Sequence, residues 1–395
     1  MYHQEGETNR DLYNNSPHFS EKTGIFIDNY QLMLKMGMFV EMDYGKDVKI
    51  DLVDKKILAI VGKNCRTSHL QIAKMAGIGK DTVRYRLDQL QKKQLYRGNI
   101  LIVNPFRLPH MVLVSVLIKV NTLNVPEEAK VIEYFSTHPF VAWASLLQGP
   151  YDFNVFITAL GTKHMDQILK DIKATLKTNI KKMKVLHISK MDVCKTIPSK
   201  FEKQLKLRPK KPRLDTSFAP LLTTPECSSE DGPVPLDSTD LKILLATVDT
   251  AHLHFQEISS LTGLSSDIIK YRITKLIEKN VIMSFRGSIN LSYLKYHGHA
   301  AFIRISPGVT EKKRNEIRQY FMQSEHITYV FESVLSPFDF QVFIISQDPY
   351  DLNSIMNDIR TRFSDAIEDY EMNLILNDFK FTHIPEGIRE LLSKK

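Results

Sequence analysis

IDLVDKKIL, residues 50–58, and LDSTDLKIL, residues 236–244, are two versions of one segment in this chain. The same spacing of 186 residues continues after these segments, since Gly77 recurs as Gly263 and Arg86 recurs as Arg272. Self-similarity at a fixed spacing indicates a repeated structural unit. The sequence therefore predicts two copies of one architecture, joined end to end.

A second pair of words extends the repeat. GPYDFNVFI begins at Gly149 and SPFDFQVFI begins at Ser336, a spacing of 187, so one residue has been inserted between the two pairs of words. The chain has 395 residues, and single cores seldom exceed ~250 to 300 residues. The chain is therefore expected to hold two to four domains.

The segments outside the copies differ from them in composition. Ser199–Pro235, together with Pro198, holds seven of the 17 prolines and is predicted to be an extended linker. Its basic run KLRPKKPR, Lys206–Arg213, could contact DNA phosphates or keep the linker soluble, and we favour solubility. Residues 1–47 match neither copy, and their sequence indicates no role.

The first part of each copy has the pattern of a helix-turn-helix. A short helix is predicted from the N-cap Ser68 to Gly77, and a tight turn follows. The next segment, KDTVRYRLDQLQKK at Lys80–Lys93, has one apolar helical face and one polar, basic face. Two such helices are what reading of the major groove requires. The following LYRGNILIV suits a short strand pair, or wing.

The second part alternates strands and helices in the order βαββαβ. Met111–Val120 is β-branched and reads as a buried strand. An amphipathic helix is predicted after Pro126, and two strands follow at 140–147 and 151–160, around a Gly-Pro turn. Another helix at 164–177 and a last strand near Val185 complete the unit. That order is ferredoxin-like.

The predicted fold class is α+β, with two winged helix-turn-helix domains alternating with two ferredoxin-like (βαββαβ) domains. The expected boundaries, in chain order, are an N-terminal extension 1–47, a first winged helix-turn-helix 48–105, a first ferredoxin-like domain 108–198, a linker 199–235, a second winged helix-turn-helix 236–292 and a second ferredoxin-like domain 297–385.

Charge separates the two helix-turn-helix segments. Residues 51–98 hold eleven Lys and Arg against four acids, a net charge of +7. The corresponding residues 237–284 hold five against six, a net charge of −1. Because phosphate contacts supply most nonspecific affinity for DNA, the first unit is expected to be the main DNA-binding surface.

Specific words in both copies resemble the Lrp/AsnC family of transcription regulators. They are D-x-x-D-x-x-I-L in the repeated segment, LTGLS at 261–265, VRYRL at 83–87 and GPYD at 149–152. The resemblance implies a sequence-specific regulator of double-stranded DNA, modulated by a small molecule such as an amino acid. The family dimerises through the sheets of its ferredoxin-like domains, so the two halves are expected to pair within one chain as a pseudo-dimer, and higher homo-oligomers remain open.

The sequence departs from the family pattern in a few places. Gly79 stands where the family has a serine N-cap, a tolerable change because glycine also caps helices. Ser336 replaces the glycine of the second hairpin, and the glycine-valine turn before each last strand is absent. Only the first hairpin keeps the family's Gly and Tyr, so an effector is expected there.

Candidate DNA contacts cluster in the first unit. Four residues are expected to reach base edges: Thr82, Arg84, Tyr85 and Gln89. Four are expected to reach phosphates: Arg66, Lys80, Lys92 and Arg97. Ser68, the N-cap of the preceding helix, is also expected to contact DNA. Arg86 recurs as Arg272 in the uncharged copy, which favours a structural role.

Gly149, Tyr151 and Asp152 are the candidate effector residues, since the resemblance implies a pocket where ferredoxin-like domains meet. The alternative is a β-hairpin turn that needs Gly and Pro for its geometry alone.

No metal or cofactor is expected. The pairs His252/His254 and His297/His299 could each place two imidazoles on one face of a strand as metal ligands. No carboxylate or cysteine lies at a useful spacing from them in the sequence. The three cysteines are far apart, which indicates a reducing compartment. With no signal peptide and no apolar stretch of ~18 residues, we expect a cytoplasmic protein without a membrane partner.

Two other functions stay open. Siroheme decarboxylases share this two-part architecture, but their word H-N-Y is missing, since this chain reads FVAWASLL and ITYVFESVL there. An absorption spectrum of the purified protein would reveal a bound tetrapyrrole. An amino-acid sensor without DNA binding is the other alternative, and the net charge of +7 argues against it.

Overall fold

The structure is a computed structural model that describes residues 48–205, 207, 232–248 and 255–393. The N-terminal extension lies outside these residues, as does the basic run of the linker apart from Leu207. The first histidine pair, His252 and His254, and Cys227 also lie outside them.

Each copy begins with three helices and one strand. In the first copy these are α1 (Leu52–Lys63), α2 (His69–Ala76), α3 (Lys80–Lys92) and β1 (Tyr96–Val103). We call this unit the first head. The second head, in the same order, is α7 (Ser238–Thr247), α8 (Phe255–Thr262), α9 (Ser266–Glu278) and β6 (Ile282–Ile289).

A βαββαβ unit follows each head. The first is β2 (Met111–Val120), α4 (Val125–Thr137), β3 (Val141–Gln148), β4 (Phe153–Leu160), α5 (Thr162–Leu176) and β5 (Ile180–Cys194). The second is β7 (His297–Ile305), α10 (Glu311–Gln323), β8 (Ile327–Val334), β9 (Phe340–Ser346), α11 (Pro349–Phe363) and β10 (Ile367–Phe381). Both units have the predicted ferredoxin-like element order.

The two ferredoxin-like units share one closed sheet of eight strands. Its order is β10-β3-β4-β2-β5-β8-β9-β7, and every ladder is antiparallel. The long strands β5 and β10, 15 residues each, cross from their own half to the other. They pair with β8 and β3 respectively, so both halves complete each other's sheet.

Aromatic side chains from both halves fill the inner face of this closed sheet. The Trp143 indole stacks on Phe156 of its own half, with centroids 5.2 Å apart, and on Phe343 of the other half at 4.6 Å. Tyr329 and Phe331 also lie against it. Aromatic pairs of this kind add stability beyond the area that they bury. Buried residues of both halves belong to one cluster, so the two copies share a continuous core.

The predicted wing is wrong as a strand pair within one unit. Each head supplies a single strand, and β1 pairs antiparallel with β6 of the other head. Gly287 on β6 allows close approach, because a Cβ there would lie 3.0 Å from the Val61 carbonyl oxygen and from the Tyr96 ring. The heads are therefore joined to each other as well as to the closed sheet.

The start of the predicted linker is also wrong as an extended segment. Residues 199–204 form a helix, α6 (Ser199–Gln204), in which Phe201 is buried against Tyr296 of the second half. The Lys200 ammonium lies 2.9 Å from the Asp351 carboxylate. The end of the linker is fixed too, since Arg107 donates a hydrogen bond to the Gly232 carbonyl at 2.8 Å.

A matching helix ends the second copy. This helix, α12 (Glu386–Ser393), packs across on the first half, where the Gly387 amide donates to the Pro139 carbonyl at 2.9 Å. Each copy therefore ends in a helix that contacts the other copy. None of the described helices is both long enough and apolar enough to cross a membrane.

Candidate nucleic-acid interface

The third helix of the first head, α3, presents a polar and basic face to solvent. On α3, Val83 and Leu90 are buried in the head's core. Lys80, Thr82 and Arg84 are exposed, and the Tyr85 side chain is 62% exposed. The structure thus brings together on one accessible surface the residues that were predicted to reach DNA from this helix, with Gln89 half-buried at its edge and Lys92 exposed at its end.

A clamp of charges fixes the orientation of this helix. The Arg86 guanidinium donates to the Asp51 carboxylate at 2.6 Å and to the Asp54 carboxylate at 3.0 Å. Asp51 is also the N-cap of α1, and with Asp54 it forms a capping box. Arg272 makes the same contacts in the second head. The structural role predicted for Arg86 is confirmed. The repeated D-x-x-D motif is explained by its two aspartates, which cap the first helix and bind this arginine.

Ser68 caps α2 as predicted. Its side chain accepts a hydrogen bond from the Gln71 amide, and the Gln71 side-chain oxygen accepts one from the Ser68 amide. Lys74, farther along α2, is exposed and adds a positive charge to the same head. Sequence reasoning misses Lys74, because one lysine on a short helix has no distinctive pattern.

Arg66 is not placed as a phosphate contact. Its guanidinium lies over the rings of Phe255 and Phe285, with centroid distances of 5.4 and 5.0 Å, and both rings belong to the second head. Burial lowers the pKa of Arg66. This residue therefore stabilises the contact between the heads, where a cation over an aromatic face is favourable.

Arg97 is half-buried on β1 and also lies toward the interior. Burial raises the pKa of Asp378, a half-buried residue of β10, and the charge of Arg97 partly offsets this effect. Arg97 and Arg66 are thus separated from the exposed basic face, and the proposed DNA contacts are reduced to the residues on α2 and α3.

The second head presents a different surface. At the positions equivalent to Lys80, Thr82 and Lys92 it carries Ser266, Ile268 and Glu278. Ile268 is 45% exposed, so an apolar group interrupts the outer face of α9, whereas Tyr271, the equivalent of Tyr85, is 60% exposed. Glu278 also pairs with Lys275 at 2.7 Å. Three of the positions that could attract phosphate or read bases on α3 have thus changed.

The predicted effector residues lie where the first hairpin meets the second half. Gly149 has a φ of +145°, and a Cβ there would lie 3.0 Å from the Met372 carbonyl oxygen. Tyr151 is fully buried, and its amide donates to the Asn373 side chain at 3.0 Å. The Asp152 carboxylate accepts from the Lys119 ammonium at 2.6 Å and from a backbone amide at 2.8 Å. All three residues have roles in the fold.

The comparisons with known proteins match both copies. An AsnC-type helix-turn-helix domain model matches residues 50–91, and a winged helix-turn-helix DNA-binding model matches residues 236–283. The HTH-type transcriptional regulator FL11 of Pyrococcus horikoshii is 32% identical over 124 residues, which are 31% of this chain and 80% of that protein. The regulator LrpA of the same organism is 41% identical over 59 residues, 15% of this chain and 42% of that protein.

One similar solved structure spans both copies. It is the crystal structure of the siroheme decarboxylase NirDL, with a TM-score of 0.53 over 87% of this chain and 97% of that chain. The identity is 12%, so the likeness concerns the fold. It indicates that two tandem units of this architecture occur together in another protein as well.

Proposed function

Because this chain belongs to the Lrp/AsnC family of helix-turn-helix transcription regulators, we propose that it controls transcription by binding double-stranded DNA through its first head. The exposed basic face of α3 is the observation that carries this proposal. Sequence-specific contacts are assigned to Thr82, Arg84, Tyr85 and Gln89, and phosphate contacts to Lys80 and Lys92, with Lys74 as an addition. This role would place the protein in the cytoplasm with the DNA.

A gel-shift titration with duplex DNA at increasing salt tests the proposal. Affinity should fall steeply, with a log-log slope of about −0.9 for each phosphate neutralised. Binding that does not depend on salt would contradict it, because neutralisation of phosphates releases counterions.

The functional unit is one chain acting as an asymmetric pseudo-dimer. The shared sheet supports this, since each half completes the sheet of the other. With one basic head and one near-neutral head, a single chain would hold one half-site firmly and its neighbour weakly. Two strong half-sites would then need two chains, with their first heads spaced by multiples of ~34 to 36 Å along the duplex.

A small-molecule effector, such as an amino acid, is proposed for the first hairpin. Its support is the family resemblance of residues 149–152 and the position of that hairpin between the halves. A thermal-shift screen of amino acids on the full chain can find such a ligand. We expect the ligand-induced shift to be lost in Asp152→Ala and kept in the matched variant Asp339→Ala. The reverse pattern would assign the ligand to the second hairpin.

The enzymatic alternative rests on the fold similarity to the siroheme decarboxylase. At 12% identity this similarity does not extend to activity, and the relatives that match in sequence are named as transcriptional regulators. The function supported best is therefore regulation of transcription.

A further inference from the structure

Two equivalent residues of the copies meet at the centre of their interface. Lys184 lies on β5 and Glu371 lies on β10, and their spacing of 187 is the spacing between these two strands. The Lys184 ammonium donates to the Glu371 carboxylate at 3.2 Å. In a two-fold interface, a residue that contacts its own equivalent lies on the axis. This ion pair therefore marks the pseudo-two-fold axis that relates the halves.

The charges at the axis depend on which copies pair. If two first copies paired, Lys184 would face a second Lys184, and two second copies would bring two Glu371 carboxylates together. These side chains are only 18% and 24% exposed, and Lys182 lies within 4.0 Å of the same carboxylate. Like charges in a partly buried site repel each other. Only the pairing of unlike copies brings opposite charges together here.

A second polar contact has the same dependence. Asp378 of β10 accepts hydrogen bonds from Ser145 at 2.5 Å and Trp143 at 3.0 Å, both on β3. The equivalent residues on β8, at a spacing of 186, are Phe331 and Tyr329. Two second copies would therefore place this half-buried carboxylate against a phenylalanine in place of the serine, and a tyrosine in place of the tryptophan. A partly buried carboxylate that loses a hydrogen-bond donor is destabilised.

A third contact disfavours the pairing of two first copies. Asp192 of β5 is buried, and its carboxylate lies 3.6 Å from the Arg318 guanidinium of α10, which also binds Glu332. The first-copy equivalents of Arg318 and Glu332 are Ile132 and Leu146. If two first copies paired, the aspartate would be buried beside two apolar side chains without a cation.

We propose that these three contacts make the copies complementary partners, so that a first copy pairs only with a second copy. The partner surface that fits the first copy must supply a cation beside Asp192, an acid opposite Lys184 and an acceptor for Trp143. Only the second copy has this arrangement within the described residues. The proposal rests on the internal pairing described above and goes beyond it, because it names what prevents like copies from associating.

The test uses the full chain with the charges at the axis reversed. Lys184→Glu and Glu371→Lys should each lower the thermal unfolding midpoint, and the double variant should recover it. We expect a coupling of about tenfold in the unfolding equilibrium constant. The matched control is Lys170→Glu on the exposed face of α5, where the side chain is 71% exposed. Additive effects in the double variant, or single effects no larger than the control, would overturn the proposal.

A mixing experiment reads the pairing itself. The two single variants, refolded together with one of them isotopically labelled, can restore both ion pairs by exchanging halves. Cross-linking mass spectrometry should then find more links between β5 and β10 of different chains in the mixture than in either variant alone. An equal yield would overturn the proposal. Gel shifts on the same samples report the first head separately, so a failed DNA-binding proposal would be recognised as such.

Discussion

The double variant Lys80→Ala/Arg84→Ala should lose most of its affinity for duplex DNA. Both side chains are exposed on the outer face of α3, and neither contributes to the buried core of the head. A lost base contact costs ~1 to 3 kcal/mol, and a lost phosphate contact weakens binding to all sequences alike. Together they should reduce affinity by roughly 30-fold or more in a gel shift at moderate salt.

The second head supplies the matched control. Lys270 occupies the position on α9 that Arg84 occupies on α3. Lys270→Ala should leave affinity within about twofold of the original chain, since its head has no excess of positive charge. Equal losses from the two heads would show that both bind DNA, and unchanged affinity in the α3 variant would rule out the first head as the reading surface.

Arg318→Ala should destabilise the fold more than the loss of any exposed ion pair. The change leaves the carboxylates of Glu332 and Asp192 without their cation, and both residues are only 5% exposed. Removal of one partner from a buried ion pair costs ~3 to 5 kcal/mol. Chemical denaturation monitored by circular dichroism measures this loss. Arg362→Ala, which breaks an exposed pair with Asp358, should cost no more than ~1 kcal/mol.

The pH dependence identifies the origin of this loss. Burial, with the nearby Glu332 charge, raises the pKa of Asp192 to about 7 in the folded protein. The folded state therefore holds a proton that the unfolded state releases near its ordinary pKa of about 3.9, so this residue's contribution to stability declines as pH rises through about 7. Loss of the arginine should cost more at about pH 8 than at about pH 5. An equal cost at both values would show that charge burial is not the cause.

Much of the fold could be predicted because its signals are local. The repeat at constant spacing gave two copies, and helical periodicity in Lys80–Lys93 placed its apolar and polar faces correctly. The order of the strands and helices in the ferredoxin-like units followed from β-branched runs and turn residues. The D-x-x-D word and its arginine were recognisable as one structural unit because they recur in both copies.

The contacts between halves could not be predicted in this way. Sequence predicts Arg66 as a phosphate contact, because the residues that decide its role, Phe255 and Phe285, lie far away in sequence. Sequence predicts a hairpin wing, because one strand does not reveal that its partner comes from the other copy. Helix α6 cannot be predicted from its proline-rich region, because a helix of six residues has little stability of its own. It is stabilised by Phe201, which packs on Tyr296 of the second half.

The hairpin residues show why a motif alone does not decide between structure and binding. Gly149 and Asp152 match the family motif, yet each also has a structural role that needs no ligand. Gly149 allows the close approach of β10, and Asp152 binds Lys119. Tyr151 is likewise buried against the second half. The effector site is therefore still a prediction, whereas the exposed face of α3 has no role in packing that would explain its charges.

The salt dependence of DNA binding by the full chain tests the central claim most directly. Gel-shift affinities of the original chain and of Lys80→Ala/Arg84→Ala, measured over a series of salt concentrations, give two log-log slopes. If both side chains neutralise phosphates in the complex, the slope of the variant should be less steep by about 1.8, and by about 0.9 if Arg84 reads a base. Two parallel lines would contradict the account, because the first head would then contribute no phosphate contacts through these residues.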